Sequence, residues 1–554
     1  MRVLEILLMT GAGVWQALRQ DFNLLEIAIL LAGFVAWRRG WRPKRFRFRL
    51  PLKPWQCAVL LAIGVVALRV AMLPLLPHPV PVVVDEFSHL LLADTLRHGR
   101  VVNSTHPFWP HFETIHVIQQ PHYVSNYFPG CAAMLAAGVA IAHDPWAGVL
   151  AECAIFLGVL YWMLRGWMPG RWALLGVLLA ALRFGVASYW VNSYWGGFVP
   201  AIGGALLAGS YPRLLRSATF LKACVFGLGL AILALSRPFE GFFFAIVWMA
   251  ALAWNMRERL SSLLRIAIPI AAIGGAAVLF LGLYSKHITG SPFVTAYQIS
   301  ERTYGWPSEM PWTKPPTDLV FRHVELAQHF EYETSEHEKV DSPLNFLEYL
   351  VFRLEAYWRF YLGPMLSIPL LMLPRIWRRR RILIVGTFGA LCAILLLGGS
   401  LPHYFAPATA LVIAIVVEGC RHLRASKIHI VHLLAAAMAL VLILRIAAQD
   451  FGLPYTQKIN YQSWCCQQAG NQNKARIEAA LDRMPGQHLV FVKPKTDPYN
   501  LLQWIYNDAD IDASRIVWAR DMGEAEDARL RQYFAGRDAW VVDPNVEPAT
   551  CRKY

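Results

Sequence analysis

Charge is scarce in this sequence, and the scarcity goes with long apolar runs. Only 16% of the 554 residues are Asp, Glu, Lys or Arg, and 56% are hydrophobic; an ordinary soluble domain carries about 25% charged residues. The composition disfavours a soluble domain and points to a polytopic membrane protein, because the apolar runs recur at the roughly 20 residues that a helix needs to cross a bilayer. Cysteine is also sparse. Nine are present and none forms a CxxC pair, so a zinc ribbon lacks its ligands. Cys57, Cys131, Cys153, Cys224, Cys392 and Cys420 lie in or beside apolar segments and read as small packing residues. Cys465, Cys466 and Cys551 stand in a polar tail. In an oxidising compartment Cys551 could pair with Cys465 or Cys466; free thiols are the default reading. The first residues, MRVLEILLMTGAGVWQAL, carry no small-residue cleavage site, so no cleavable signal peptide is expected.

What charge there is has a pattern. The net charge is +15, and most basic residues sit in short clusters at 38–49, 165–171, 213–222, 257–265, 375–381 and 421–427. Nothing accompanies them that reads nucleic acid, so no nucleic-acid partner is expected. Short loops rich in Lys and Arg stay cytoplasmic. With all six clusters inside, apolar segments near 23–37, 55–75, 147–164, 172–189, 196–211, 220–236, 240–256, 266–284, 356–373, 382–399, 404–420 and 428–446 alternate without conflict. Residues 1–18 either add a span or lie on the surface, which gives about 12–13 spans. Residues 128–142 are apolar but short, and are expected to lie along the outer surface. Long outer loops then cover about 76–146 and 285–355. The lipid bilayer is the expected setting.

The chain changes character near 447. Helical stretches at 474–484, 498–507 and 524–534 alternate with strands at 488–493, 515–520 and 538–543, the pattern of a small parallel α/β domain. No Gly-rich phosphate loop joins a strand to a helix there, and no catalysis is assigned to it. The expected organisation is a membrane domain over 1–446 and an extracytoplasmic α/β domain over 447–554; the fold class is mainly α, a transmembrane helix bundle.

The residues that carry chemistry cluster in the outer loops. VVVDEFSHLL, residues 82–91, puts Asp85 and Glu86 between apolar runs. Asp85 could cap a helix that begins at Glu86 or Phe87, and a carboxylate at a bilayer surface is also a suitable base for an attacking hydroxyl or amine. The loop that follows holds His106, His111, Glu113, His116 and His122 among aromatics. The spacing of His111, Glu113 and His116 is not that of a metal motif, so no metal is assigned, although a divalent ion is left open. A polar and aromatic wall for a sugar and its phosphate fits better. SRPFEG (236–241) offers Arg237, HYFAP (403–407) offers His403 and Tyr404, and Lys286 stands at a third span end; cations and aromatics of this kind suit an anionic lipid head group. SYWVNSYWGG (188–197) adds Asn192 and Tyr194 as sugar contacts, or is an ordinary aromatic belt.

An Asp-Glu pair in the first outer loop, a loop with a surface helix, a many-span bundle and a soluble outer tail together resemble the GT-C superfamily of integral-membrane glycosyltransferases. Within it, the resemblance is to the protein mannosyltransferase and aminoarabinose-transferase group, glycosyltransferase family 39-like. It covers mainly residues 55–250. It implies transfer of a hexosyl or pentosyl unit from a polyprenyl-phosphate donor to a lipid, protein or glycan acceptor, with inversion, at the outer face of a bacterial cytoplasmic (inner) membrane. Asp85 would be the base and Glu86 would help to position the acceptor. Arg237, His403, Lys286 and Tyr404 would hold the donor phosphate; His106, His122, Asn192 and Tyr194 would contact sugar or acceptor. No cofactor is implied. A transporter of lipid-linked sugars, which would want ionisable groups at mid-membrane, and a non-catalytic subunit of a cell-envelope polysaccharide system are the competing functions.

Overall fold

A computed structural model describes residues 23–41, 52–305, 314–338, 340, 342–397, 401–426, 433–450, 464–466, 470–494 and 504–554. The segment 1–18, most of the 38–49 cluster and residues 498–503 of one expected tail helix lie outside them. Two helices lead in, α1 (Asn23–Arg38) and α2 (Pro54–Ala71). The first long loop holds α3 (Val84–Arg97), then a small antiparallel sheet of β1 (Asn103–Ser104), β2 (Val117–Ile118) and β3 (His122–Ser125) in the order β1-β3-β2, then α4 (Pro129–Ala142). None of the three strands is visible as periodicity in the sequence, because each is only two to four residues long.

The bundle continues with α5 (Pro145–Trp167), α6 (Gly170–Phe184), α7 (Phe198–Arg216), α8 (Phe220–Ser236), α9 (Pro238–Met256) and α10 (Leu260–Thr289). Asp144 starts α5 by accepting from the Trp146 amide at 2.9 Å, with Pro145 in the first turn. That is a cap of the kind that satisfies a free helix N-H. α4, expected to lie along the surface, is about 21 Å long at 1.5 Å per residue, short of the roughly 30 Å hydrocarbon core. It buries one face, including Ala132, Leu135 and Ala136.

The second long loop carries α11 (Ala296–Tyr304) and α12 (Val324–Glu338). Then the expected span at 356–373 departs from a single helix. α13 (Pro343–Tyr361) meets α14 (Gly363–Ser367) and α15 (Leu373–Leu395) at a bend of 93°. Leu362 is non-helical, Gly363 has a φ of 59°, and Pro364 and Pro369 remove donors from the turns that follow. The basic cluster at 375–381, expected as a loop, is helical inside α15 with a kink at Arg380. α16 (Thr409–Ala425) and α17 (Leu434–Asp450) complete the bundle. By length and composition five helices among the described residues are apolar enough to cross a membrane, or six if the bent pair counts as one; α4, α8 and α17 are shorter apolar helices.

The bundle core is aromatic: Phe184, Trp190, Phe198 and Phe360 pack with ring centroids 5.2–5.4 Å apart in buried pairs. α7 comes close to the 402–408 turn because Gly204 has no Cβ; one built there would strike the Pro407 carbonyl.

The tail holds α18 (Gln472–Leu481), β4 (His488–Val492), β5 (Ile516–Arg520), α19 (Glu524–Tyr533), β6 (Asp538–Asp543) and β7 (Thr550–Lys553). The sheet order is β5-β4-β6-β7, with β4 parallel to both β5 and β6 as expected and β7 added antiparallel. Residues 504–507 of the expected 498–507 helix are not helical. Cys465 and Cys466 are bonded to each other and Cys551 is a free thiol, so Cys551 follows the default reading and the other two do not. Cys551 sits on β7 against the sheet's own core, whereas the other two belong to the bundle core.

Candidate functional site

α3 organises the site, and its three faces have different jobs. The helix begins at Val84 with Val83 as its cap, so Asp85 lies in the first turn and is not the cap that the sequence suggests. Glu86 is fully buried. Its Oε1 accepts from the Val82 and Val83 amides at 2.9 and 3.3 Å, and its Oε2 accepts from the Tyr194 amide at 2.9 Å. Burial raises its pKa to about 7, against the pull of those three amides. Its three hydrogen-bond donors are backbone amides, so Glu86 braces the first turn of α3 against the 188–197 turn.

Asp85 is different. Its side chain is 22% exposed, its Oδ1 accepts from the Tyr127 hydroxyl, and His116 Nε2 lies 4.0 Å away. One turn on, at i+4, His89 stacks on Tyr127 with centroids 4.3 Å apart. The 116–127 segment is fixed to α3 by Ser88, whose hydroxyl donates to the His116 carbonyl at 2.7 Å and pairs with Ser125 Oγ at 2.7 Å. His116 has a φ of 61°, a left-handed conformation that costs a non-glycine residue about 1 kcal/mol or more and concentrates at functional sites. Burial keeps the imidazoles neutral: His89 is lowered to about 3, helped by Arg237, and His116 is lowered against the pull of Asp85. His329 of α12 is lowered to about 4 by burial and by His116. It lines a small pocket with Ile115, Ser300, Tyr304, Phe330 and Glu333.

Arg237 joins α8 to α9, within electrostatic reach of His89 and Tyr127. Its guanidinium lies 4.4 Å over the Tyr404 ring and 3.4 Å from Glu240. His403 is buried beside Tyr404 and Trp195, with its Nδ1 3.0 Å from the Tyr189 hydroxyl and its Nε2 unpartnered. The expected residues Asp85, Arg237, His403 and Tyr404 therefore come together. Lys286 is exposed on the last turn of α10, two residues after Tyr284, which reaches the Tyr127 carbonyl at 3.4 Å.

The other expectations change role. Asn192 accepts from buried Arg69 Nε at 2.7 Å and donates to the Val186 and Ser188 carbonyls. Tyr194 donates from its amide to Glu86 and from its hydroxyl to the Pro79 carbonyl at 3.0 Å. Both hold the 188–197 turn in place through these bonds. His106 Nε2 lies 3.1 Å from Asp512 of the tail, among the rings of Phe112, Tyr533 and Phe534; it joins tail to loop. His122 faces His287 with centroids 6.4 Å apart. His111, Glu113 and His116 have separate partners: Asp527 at 3.4 Å, Arg322 and His323 at 3.6 and 3.4 Å, and Asp85. Among the described residues no group of three such side chains is arranged to hold a metal. Tyr127, Trp195 and His89 were not expected. His89 had a signal, since i+4 from Asp85 on a helix is the same face; Tyr127 and Trp195 had none in local spacing.

No family model matches the sequence, and no curated protein matches it. Solved structures do. ArnT from Cupriavidus metallidurans in the apo state is similar at 12% identity over 88% of this chain and 92% of that one, with a TM-score of 0.50. ArnT from the same organism bound to undecaprenyl phosphate is similar at 13% identity over the same shares, with a TM-score of 0.49. The Archaeoglobus fulgidus oligosaccharyltransferase in the apo form is similar at 11% identity over 90% of this chain and 70% of that one, with a TM-score of 0.43. At such identities the likeness is one of fold. The chain shares the overall fold of the apo ArnT structure, and its apolar helices make it a multi-pass membrane protein.

Proposed function

We infer that the protein transfers a sugar from a polyprenyl-phosphate donor to an acceptor, with Asp85 as the base. One observation carries this reading: the partly exposed carboxylate of the Asp-Glu pair sits against Tyr127 and His116, and Tyr127 in turn lies within electrostatic reach of Arg237. A proton acceptor and a phosphate-binding cation on one site are what such a transfer needs. The fold shared with apo ArnT supports it, and undecaprenyl phosphate, bound to ArnT, is the kind of lipid that the reaction would release.

The acceptor hydroxyl or amine gives its proton to Asp85 as its oxygen or nitrogen attacks the anomeric carbon. A new glycosidic bond forms on the face opposite the bond to phosphate. The phosphate-side C–O bond breaks, its electron pair leaves with the polyprenyl phosphate, and the configuration inverts. Arg237, seated on Tyr404, stabilises the charge that builds on the leaving phosphate; His403 and Lys286 are further groups for it. The donor's sugar is a hexosyl or pentosyl unit, and the acceptor a lipid, protein or glycan. The site faces outward from a bacterial inner membrane, with residues 1–446 as the membrane unit and 447–554 beside the site. The test is acceptor-dependent release of polyprenyl phosphate from a panel of polyprenyl-phosphate sugars in membranes that carry the protein. Absence of release over a broad donor and acceptor panel would overturn the reading.

A further inference from the structure

The tail packs on the helix that carries Asp85, and it does so along one face. Phe87, Leu91 and Asp94 are spaced by four and three residues and so line one side of α3. Phe87 stacks on Tyr506 of the tail, with centroids 4.7 Å apart and planes 13° from parallel. Leu91 shares an apolar cluster with Tyr506, Phe491 and Val517. Asp94 Oδ2 accepts from the Ala509 amide at 2.7 Å. The tail also grips the chain just before the helix. The Asn471 amide donates to the Pro81 carbonyl at 3.3 Å, and Gly470 approaches so closely that a Cβ there would strike the Val80 and Pro81 carbonyls.

A buried cation completes the contact. Lys474 is 4% exposed, and its ammonium lies 4.9 Å from the Phe87 ring centroid and 5.0 Å from that of Trp518. An ammonium buried between two rings is costly to desolvate; Glu478 Oε1 at 3.8 Å, the Tyr506 carbonyl at 3.4 Å and the two rings offset that cost together. Tyr506 in turn donates to the Ile115 carbonyl at 2.9 Å, next to His116. The tail therefore holds both sides of the Asp85 pocket, the helix through Phe87 and the loop through Ile115.

We propose that the C-terminal segment is a clamp that sets the orientation of α3, with Tyr506 and Lys474 as positioning residues for Asp85. The proposal rests on the reading of Asp85 as base. Asp85 is two residues from Phe87, so release of Phe87 moves the carboxylate, and a misplacement of about 1 Å costs about a hundredfold in rate. Arg237 and Tyr404 belong to the bundle, whereas Tyr506 packs on Phe87 and Ile115. The clamp thus acts on turnover and leaves donor binding alone.

The test is Tyr506→Ala in the full-length protein, read by steady-state transfer kinetics and by amide hydrogen exchange. Expected are a kcat lowered about a hundredfold with the donor KM within about threefold, and faster exchange over residues 84–97 with α7 unchanged. Tyr506→Phe keeps the stack on Phe87 and is expected to restore kcat to within about tenfold, allowing for the lost hydroxyl contact. A Tyr506→Ala protein with wild-type kcat, or with kcat and donor binding lost together, overturns the proposal. If the wild type transfers no sugar, the transferase reading has failed, and exchange alone decides the clamp. Unchanged exchange over 84–97 in Tyr506→Ala then overturns it as well.

Discussion

Glu86 and Tyr194 are 108 residues apart in sequence, and the Tyr194 amide donates to Glu86 Oε2 at 2.9 Å. This bond ties the first turn of α3 to the 188–197 turn, which Asn192 ties to Arg69 and Tyr189 ties to His403. It also divides the labour within the Asp-Glu pair. Adjacent residues on a helix point about 100° apart; here one carboxylate is buried on backbone amides and the other is left to the pocket.

Removal of the brace should therefore cost folding before it costs chemistry. Asn192→Leu leaves the Arg69 Nε donor unpaired in a buried position. Loss of one partner of a buried charged hydrogen bond costs about 3 kcal/mol. The thermal midpoint in detergent is expected to fall, while the donor KM of the folded fraction stays at the wild-type value. A raised KM with unchanged stability would return Asn192 to the role of sugar contact.

Arg237→Lys tests the phosphate grip. Lysine keeps the charge and loses both the planar fork and its stacking on Tyr404. A donor KM raised about tenfold and a kcat lowered by a similar factor are the expected result, since Arg237 grips the bound phosphate and the charge that builds on it. A wild-type KM would move the phosphate site elsewhere, with Lys286 next in line.

The buried histidines make stability depend on pH in a stated direction. His89, His116 and His329 have folded-state pKa values below the usual range, two of them at about 3 and about 4. Each therefore contributes stability that is full above about 6.5 and is lost as pH falls through the folded value. The slope is about 1.4 kcal/mol per pH unit for each histidine within its window. Glu86, raised to about 7, acts in the opposite direction, so the histidine contribution is read as the difference in unfolding stability between detergent-solubilised wild type and His89→Gln, which is expected to shift against the wild type by about 1.4 kcal/mol per pH unit as pH falls from 6.5 to 4. Equal slopes for both proteins would contradict the burial account of His89.

The bundle and the tail sheet were legible because their signals are local. Runs such as 145–167 and 238–256 are long and apolar, and HLVFV and DAWVVD are bounded strands. Asp85 stood out in sequence as one of a carboxylate pair between apolar runs. The roles of Glu86, Asn192, Tyr194 and His106 were not, since each is decided by a partner 108 or more residues away. A polar residue in an outer turn looks the same in sequence whether it faces a ligand or a distant backbone amide. The 93° bend after Tyr361 was half legible: Gly363, Pro364 and Pro369 are breakers in sequence, and only packing turns a break into a change of direction.

The most direct measurement is acceptor-dependent release of polyprenyl phosphate by wild type and Asp85→Asn, in membranes with matched amounts of folded protein. A general base contributes about a hundredfold to ten-thousandfold, so release by Asp85→Asn is expected to fall by at least a hundredfold, with donor binding kept. Equal release by both proteins would contradict Asp85 as the base.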